Sequence, residues 1–176
     1  MIRFDYPSKT GERRIQSIAD PGVLDVVRAL KERSGGGHEL LAWQDGADRA
    51  SGAWYDVKSS DINGYIKDVT GGDFTAKDFR TWSATMLCAV AVAVSSGVAA
   101  SESGRKRAVA RAMREVADYL GNTPAVARSS YVDPRIVDRY RCGATIVDAL
   151  ADGKPEKIEA AVLDLLGDAI DERAAA

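Results

Sequence analysis

Apolar and polar positions alternate along residues 1–18, with Ile2, Phe4 and Tyr6 on one face and Ile15 and Ile18 resuming the pattern after Pro7-Ser8-Lys9-Thr10-Gly11-Glu12. Period two is the strand period, so this stretch predicts a β-hairpin with Lys9 near its tip. The spacing then changes. Val23, Val26, Val27 and Leu30 recur at helical intervals behind Pro21, which suits a first helical turn, and Ser34-Gly35-Gly36-Gly37 stops the run. Residues 40–57, rich in Gly and Asp, carry no clear period and read as irregular. A helix is predicted from about Ser59, whose hydroxyl suits a cap, through Ile62, Tyr65 and Ile66.

Gly71-Gly72 breaks the chain again, and Thr75 is placed to cap a long helix reaching about Val94. The Ala-Val alternation at its end has the strand period, but Phe79, Trp82, Met86 and Leu87 carry helical spacing directly into it. Residues 102–120 form an amphipathic helix with Val109, Met113, Val116, Ala117 and Leu120 inward and the basic residues outward, and Gly121 ends it. Short helices follow around 124–130 and 134–141, and Lys154-Pro155 opens a last one through Leu163, Leu166 and Ile170. No internal repeat or long linker interrupts the chain.

The bulk numbers change this picture little. At 176 residues, 45% hydrophobic and 28% charged, the chain has the size and composition of one ordinary globular domain. The formal net charge is only −2, yet the charges are uneven. Arg13 and Arg14, then Arg105, Lys106, Arg107, Arg111 and Arg114, then Arg128, Arg135, Arg139 and Arg141 are basic clusters, while acids gather between Asp148 and Glu172. A basic working face with an acidic rear fits that distribution. Cys88 and Cys142 read as reduced thiols of a cytosolic protein. No secretory signal opens the chain, and Ala84–Ala100, dominated by Ala and Val and broken by Ser95, Ser96 and Gly97, reads as a buried helix rather than a membrane span.

Much familiar chemistry is poorly supported. His38 is the only histidine, the two cysteines have no partner at metal spacing, and neither a GxxxxGK[ST] loop nor a strand-linked GxGxxG occurs. No metal, nucleotide or other cofactor is therefore expected. What remains is a set of Lys, Arg, Asn and Tyr side chains, which suits attack by a tyrosine on phosphate. A phenol of ordinary pKa about 10 is a poor nucleophile at neutral pH. Converging cations stabilise both its developing phenolate and a pentacoordinate phosphorane, and a lysine supplies the proton to the leaving sugar oxygen.

Two longer segments carry a resemblance. Phe74-Thr75-Ala76-Lys77-Asp78-Phe79-Arg80-Thr81-Trp82-Ser83-Ala84-Thr85 resembles the arginine motif of bacterial and poxvirus-like type IB DNA topoisomerases. Leu120-Gly121-Asn122-Thr123-Pro124-Ala125-Val126-Ala127-Arg128-Ser129-Ser130-Tyr131-Val132-Asp133-Pro134 resembles that family's tyrosine motif, and Ser8-Lys9-Thr10-Gly11 is similar to the hairpin turn that carries its lysine. Order and spacing agree across all three, and the resemblance thins beyond about residue 145.

The resemblance implies a mainly α fold with a small N-terminal β-hairpin, the catalytic fold shared by type IB topoisomerases and tyrosine recombinases. Residues 1–145 would form the catalytic core (hairpin 1–18, helical part 19–145), and 146–176 a C-terminal helical tail of the same domain. It implies relaxation of supercoils in double-stranded DNA without ATP, by a monomer that is cytoplasmic and nucleoid-associated. Tyr131 would form a 3′-phosphotyrosyl bond, Arg80 would bind the nonbridging oxygens of the scissile phosphate, and Lys9 would protonate the departing 5′-oxygen. Asn122, where some members have histidine, would donate to the same phosphate. Arg13, Arg14, Lys77 and Arg128 would meet the DNA backbone. Each residue also has an ordinary reading: Arg80 as an ion-pair former, Tyr131 as a half-buried aromatic, Lys9 as a solvated turn residue, Asn122 as a helix cap.

The sequence begins inside the hairpin's first strand, so the family's upstream arginine and N-terminal clamp domain are expected to be missing and the chain to be weak or inactive alone. A tyrosine recombinase is the nearest rival, but Lys77-Asp78-Phe79-Arg80 lacks the histidine of an H-x-x-R motif and Thr81-Trp82 follows it. A non-catalytic DNA-binding domain on the same fold is the other.

Overall fold

A computed structural model describes residues 1–7, 11, 13–44, 53–97 and 101–174, with residues 168–174 by backbone alone. Its helices and strands fall into two compact units, Met1–Ala76 and Lys77–Ala176.

In the first unit, β1 (Ile2–Pro7) and β2 (Arg13–Ile18) pair antiparallel, with Ile2 opposite Ile18 and Pro7 opposite Arg13. This is the hairpin the alternation predicts; its tip, with Lys9, lies outside the described residues. Arg13 reaches diagonally across the ladder in a two-pronged bond to Asp5, Nε to Oδ1 at 2.8 Å and Nη2 to Oδ2 at 2.6 Å. Helix α1 (Pro21–Glu32) starts where Asp20 accepts the Val23 N–H at 2.9 Å, with proline in its first turn.

The stretch read as irregular holds a second hairpin instead. β3 (Ala42–Gln44) pairs antiparallel with β4 (Trp54–Asp56), and the Trp43 and Tyr55 rings lie 5.0 Å apart. Strands of three residues are too short to display a period, which is why the pattern hid them. Trp54 also holds the preceding loop, donating to the Ser34 carbonyl at 3.2 Å beneath the Arg33 guanidinium. Gly36 lies against it with φ +85°, and a Cβ there would sit 3.0 Å from Trp54 Cβ, so that glycine is required both for conformation and for space.

Helix α2 (Ser59–Thr70) corrects the expected cap. Ser59 is its first helical residue, and the cap is Lys58, whose backbone N–H donates to Asp61 Oδ2 at 2.8 Å. A carboxylate three residues into the helix thus does the capping that a hydroxyl at its start was expected to do.

The second unit is built around α3 (Ala76–Ser96), which begins directly after Thr75. By length and composition this helix is apolar enough to cross a membrane. Here Ala84, Thr85, Cys88, Ala89, Ala91, Val92, Ala93 and Ser95 are buried, and α3 supplies the middle of the core. Small side chains let neighbouring helices approach its backbone. Ala108, Ala112, Met113, Val116 and Leu120 of α4 (Glu102–Leu120) complete one side of that core. Ser101 caps α4 by accepting the Gly104 N–H at 3.0 Å. Gly121 ends it with φ +72°, and the Asn122 N–H returns to the Ala117 carbonyl at 2.9 Å.

Two short helices follow, α5 (Pro124–Ser130) and α6 (Pro134–Arg141), each opened by a cap–proline pair, Thr123-Pro124 and Asp133-Pro134. α7 (Val147–Asp152), at six residues shorter than two helical turns, opens the C-terminal segment. α8 (Pro155–Ala174) packs with α6 and α7, and Ile146, Val162 and Leu166 of this last segment join the same core. Ile136, on α6, is fully buried there. Ile136→Val is expected to lower unfolding stability by about 1 kcal/mol, the usual effect of removing one buried methyl group, measurable by urea denaturation.

Candidate functional site

The site grows from two helix ends meeting on α3. Arg80 stands in the second turn of α3, exposed to solvent, and donates from Nη2 to the Leu120 carbonyl at 2.9 Å. Leu120 is the last residue of α4, so the guanidinium sits at the negative end of that helix, where a cation is favoured. Its Cζ lies 5.5 Å from the centroid of the Tyr131 ring, within cation–π range. One N–H is thus committed to a carbonyl, and a guanidinium carries further donors in the same plane, suited to oxygen ligands.

Tyr131 is half-buried at the end of α5, with φ −133° and ψ −31°. Its N–H and that of Val132 both return to the Ala127 carbonyl, at 3.2 and 3.0 Å. On its other side the chain is gripped by α3: Thr85 Oγ1 donates to the Tyr131 carbonyl at 3.3 Å and accepts the Asp133 N–H at 3.1 Å. Asp133 then caps α6 through the Arg135 N–H at 2.9 Å and holds the Arg135 side chain, Nη2 to Oδ2 at 2.7 Å. Arg135 Nη1 continues to the Leu166 carbonyl of α8 at 2.8 Å. A second tie to α8 comes from Trp82, partly buried and packed against the core, whose ring N–H donates to Glu159 at 3.2 Å.

The Arg135 guanidinium beside Asp133 holds that carboxyl below its ordinary value, with burial opposing the shift. A depressed folded pKa means stability that is fully present above the unfolded value, about 3.9, and lost as pH falls through the folded one. Asp133→Asn is therefore expected to flatten the fall of stability below about pH 4, which thermal melts across that range would reveal. Burial pushes the Cys88 thiol up to about 12, only partly offset by the nearby Arg128 charge. A thiol so held stays neutral and is no nucleophile.

The second unit brings Arg80 and Tyr131 together. Asn122 follows two residues after the carbonyl that holds Arg80, half-buried. Thr123, not Asn122, is the cap of α5, accepting the Val126 N–H at 3.3 Å, so the ordinary reading of Asn122 as a cap does not hold. Lys77 lies one turn before Arg80 on α3, and Arg128 one turn before Tyr131 on α5, both exposed. Arg13 and Arg14 belong to β2 of the first unit, Arg13 paired with Asp5, and Lys9 lies outside the described residues. Sequence reasoning missed Thr85, Asp133 and Arg135 as parts of this frame. A polar residue in the middle of an apolar helix, and an Asp before Pro, were the available signals.

The sequence that builds this unit has counterparts among known proteins. The family described as eukaryotic DNA topoisomerase I, catalytic core, matches residues 1–143. The chain is also 25% identical over 143 residues to DNA topoisomerase 1B of Acanthamoeba polyphaga mimivirus, which covers 80% of this chain and 42% of that protein. It therefore spans less than half the length of that relative. The chain belongs to the topoisomerase I catalytic core family, of type IB, and its mainly helical fold with an N-terminal hairpin is the one expected. The tyrosine recombinase alternative gives way to this family.

Proposed function

We propose that this chain is a catalytic segment that cleaves and reseals one strand of duplex DNA through a covalent bond to Tyr131, the chemistry by which supercoils relax, and that it is weak in relaxation when it acts alone. The phenol releases its proton to solvent as its oxygen attacks the scissile phosphorus, the bond from phosphorus to the 5′-oxygen breaks, and a 3′-phosphotyrosyl link forms. Arg80 neutralises the nonbridging oxygens as negative charge builds there, with Asn122 donating to the same phosphate. Lys9 gives its proton to the leaving 5′-oxygen. Religation reverses each step after the free end has turned. One phosphoester replaces another, so the bond energy is retained and no nucleotide is required.

The observation that carries this reading is the Arg80 guanidinium 5.5 Å from the Tyr131 ring centroid, in a chain that the family matches over residues 1–143. Lys77, Arg128, Arg13 and Arg14 meet backbone phosphates, so binding depends on duplex shape and salt more than on base sequence. The protein acts as a monomer on double-stranded DNA, associated with the nucleoid of the cytoplasm.

The test is a labelled duplex nicked so that the cleaved end diffuses away, incubated with the chain and run on a denaturing gel. A covalent adduct that survives nuclease digestion as a phosphotyrosine within the Tyr131 peptide, read by mass spectrometry, is the expected result. A folded chain that binds the duplex and forms no adduct would leave a DNA-binding module on this fold.

A further inference from the structure

Tyr131 occupies an awkward place. It follows a helix of seven residues and precedes one of eight, both too short to be stable by themselves, so its position is set by what grips it from outside. From α3, that grip comes through a hydroxyl. Thr85 is 2% exposed, and its Oγ1 meets the chain on both sides of Val132, donating to the Tyr131 carbonyl at 3.3 Å and accepting the Asp133 N–H at 3.1 Å. Val132 between them is buried, which keeps water from replacing that bridge.

A hydroxyl inside a helix ordinarily turns back to its own backbone. Ser95, further along α3, does so, donating to the Ala91 carbonyl at 2.7 Å. Thr85 instead reaches out to another segment. Arg80 stands five residues earlier on the same helix, a fixed offset of about 7.5 Å along its axis. One rigid rod therefore holds both the guanidinium over the Tyr131 ring and the backbone from which that ring projects.

We propose that Thr85 is a positioning residue that locks the Tyr131 backbone to the helix bearing Arg80, so that the phenolic oxygen stays aligned with the phosphate through cleavage and religation. This rests on the reading of Tyr131 as nucleophile. The hydroxyl touches no DNA; it acts through Tyr131. Its value lies in the covalent state, when the tyrosine must remain in line with the returning 5′-oxygen although the DNA end has moved.

The experiment compares Thr85→Val, which keeps the shape and removes the hydroxyl, with Thr85→Ser, which restores it. Single-turnover cleavage at saturating nicked duplex is expected to slow roughly 10- to 100-fold in Thr85→Val, the scale of a small misplacement of a reacting group, with duplex affinity unchanged. Thr85→Ser is expected to recover the rate. A second arm needs no activity: with 3-fluorotyrosine incorporated, the Tyr131 fluorine resonance should shift and broaden in Thr85→Val alone, the other tyrosines holding still. A third needs no variant: the Asp133 amide of the unaltered chain should exchange with deuterium as slowly as core amides of α4.

Thr85→Val cleaving at the unaltered rate, Thr85→Ser failing to recover it, an unmoved Tyr131 resonance, or a freely exchanging Asp133 amide would each overturn the proposal. Absence of any adduct from the unaltered chain would instead count against the reading of Tyr131 as nucleophile, with the fluorine and exchange arms still deciding whether Thr85 holds Tyr131.

Discussion

Tyr131→Phe is expected to form no covalent adduct with a nicked duplex while folding and binding that duplex as the unaltered chain does. The substitution removes one oxygen and little else. The bonds that fix this residue are made by its backbone, to Ala127 and Thr85, and a phenylalanine ring keeps its place beneath the Arg80 guanidinium. Loss of the adduct with an unchanged melting temperature would therefore be a loss of the nucleophile alone. An adduct that persists would move the chemistry to another side chain, and exposed Tyr119 near the end of α4 would be the first to test.

The second large effect is expected at Arg80. Arg80→Ala should slow single-turnover cleavage by roughly 10²- to 10³-fold, the usual consequence of removing one donor aimed at developing charge in a preorganised site. Arg80→Lys should recover little of it. An ammonium carries the charge but not the planar fork, which here holds the Leu120 carbonyl with one arm and would, on the proposed reading, turn others to phosphate oxygens. A purely structural role for Arg80, steadying the end of α4 through the Leu120 carbonyl, makes a different forecast: a lower melting temperature in Arg80→Ala, partial recovery by lysine, and cleavage that falls only as far as folding does. Measuring melting and cleavage on the same two variants separates them.

Local signals were enough to read most of the helical unit. Thr123-Pro124 and Asp133-Pro134 mark the starts of α5 and α6 because a capping oxygen and a fixed proline φ both act within one turn, and Gly121 marks the end of α4 because only a residue without Cβ takes that φ at little cost. The Ala-Val run was legible as helix through the aromatic spacing that enters it. Where the deciding interaction comes from elsewhere, the pattern fell short. β3 and β4 exist through each other and through Trp54, and the cap of α2 moved to Lys58 because Asp61 reaches back to it. The pairing of Arg80 with Tyr131 had no local signature at all; it was reached through resemblance to a family. Thr85 was in plain view within the arginine motif, but that its hydroxyl serves the tyrosine segment is a fact of packing.

Helix α5 measures as well as connects. Between the left-handed Gly121 and the hold on Tyr131 lie Asn122, a capping threonine and seven helical residues, and each residue of a helix advances it about 1.5 Å and turns it about 100°. Substitutions at the exposed positions Ala125, Val126 and Ser129 leave that ruler intact. Inserting or deleting a single residue there would swing the phenol away from Arg80, however well the rest of the unit folded. Across descendants of this chain, the distance from Gly121 to Tyr131 should drift in composition and never in length.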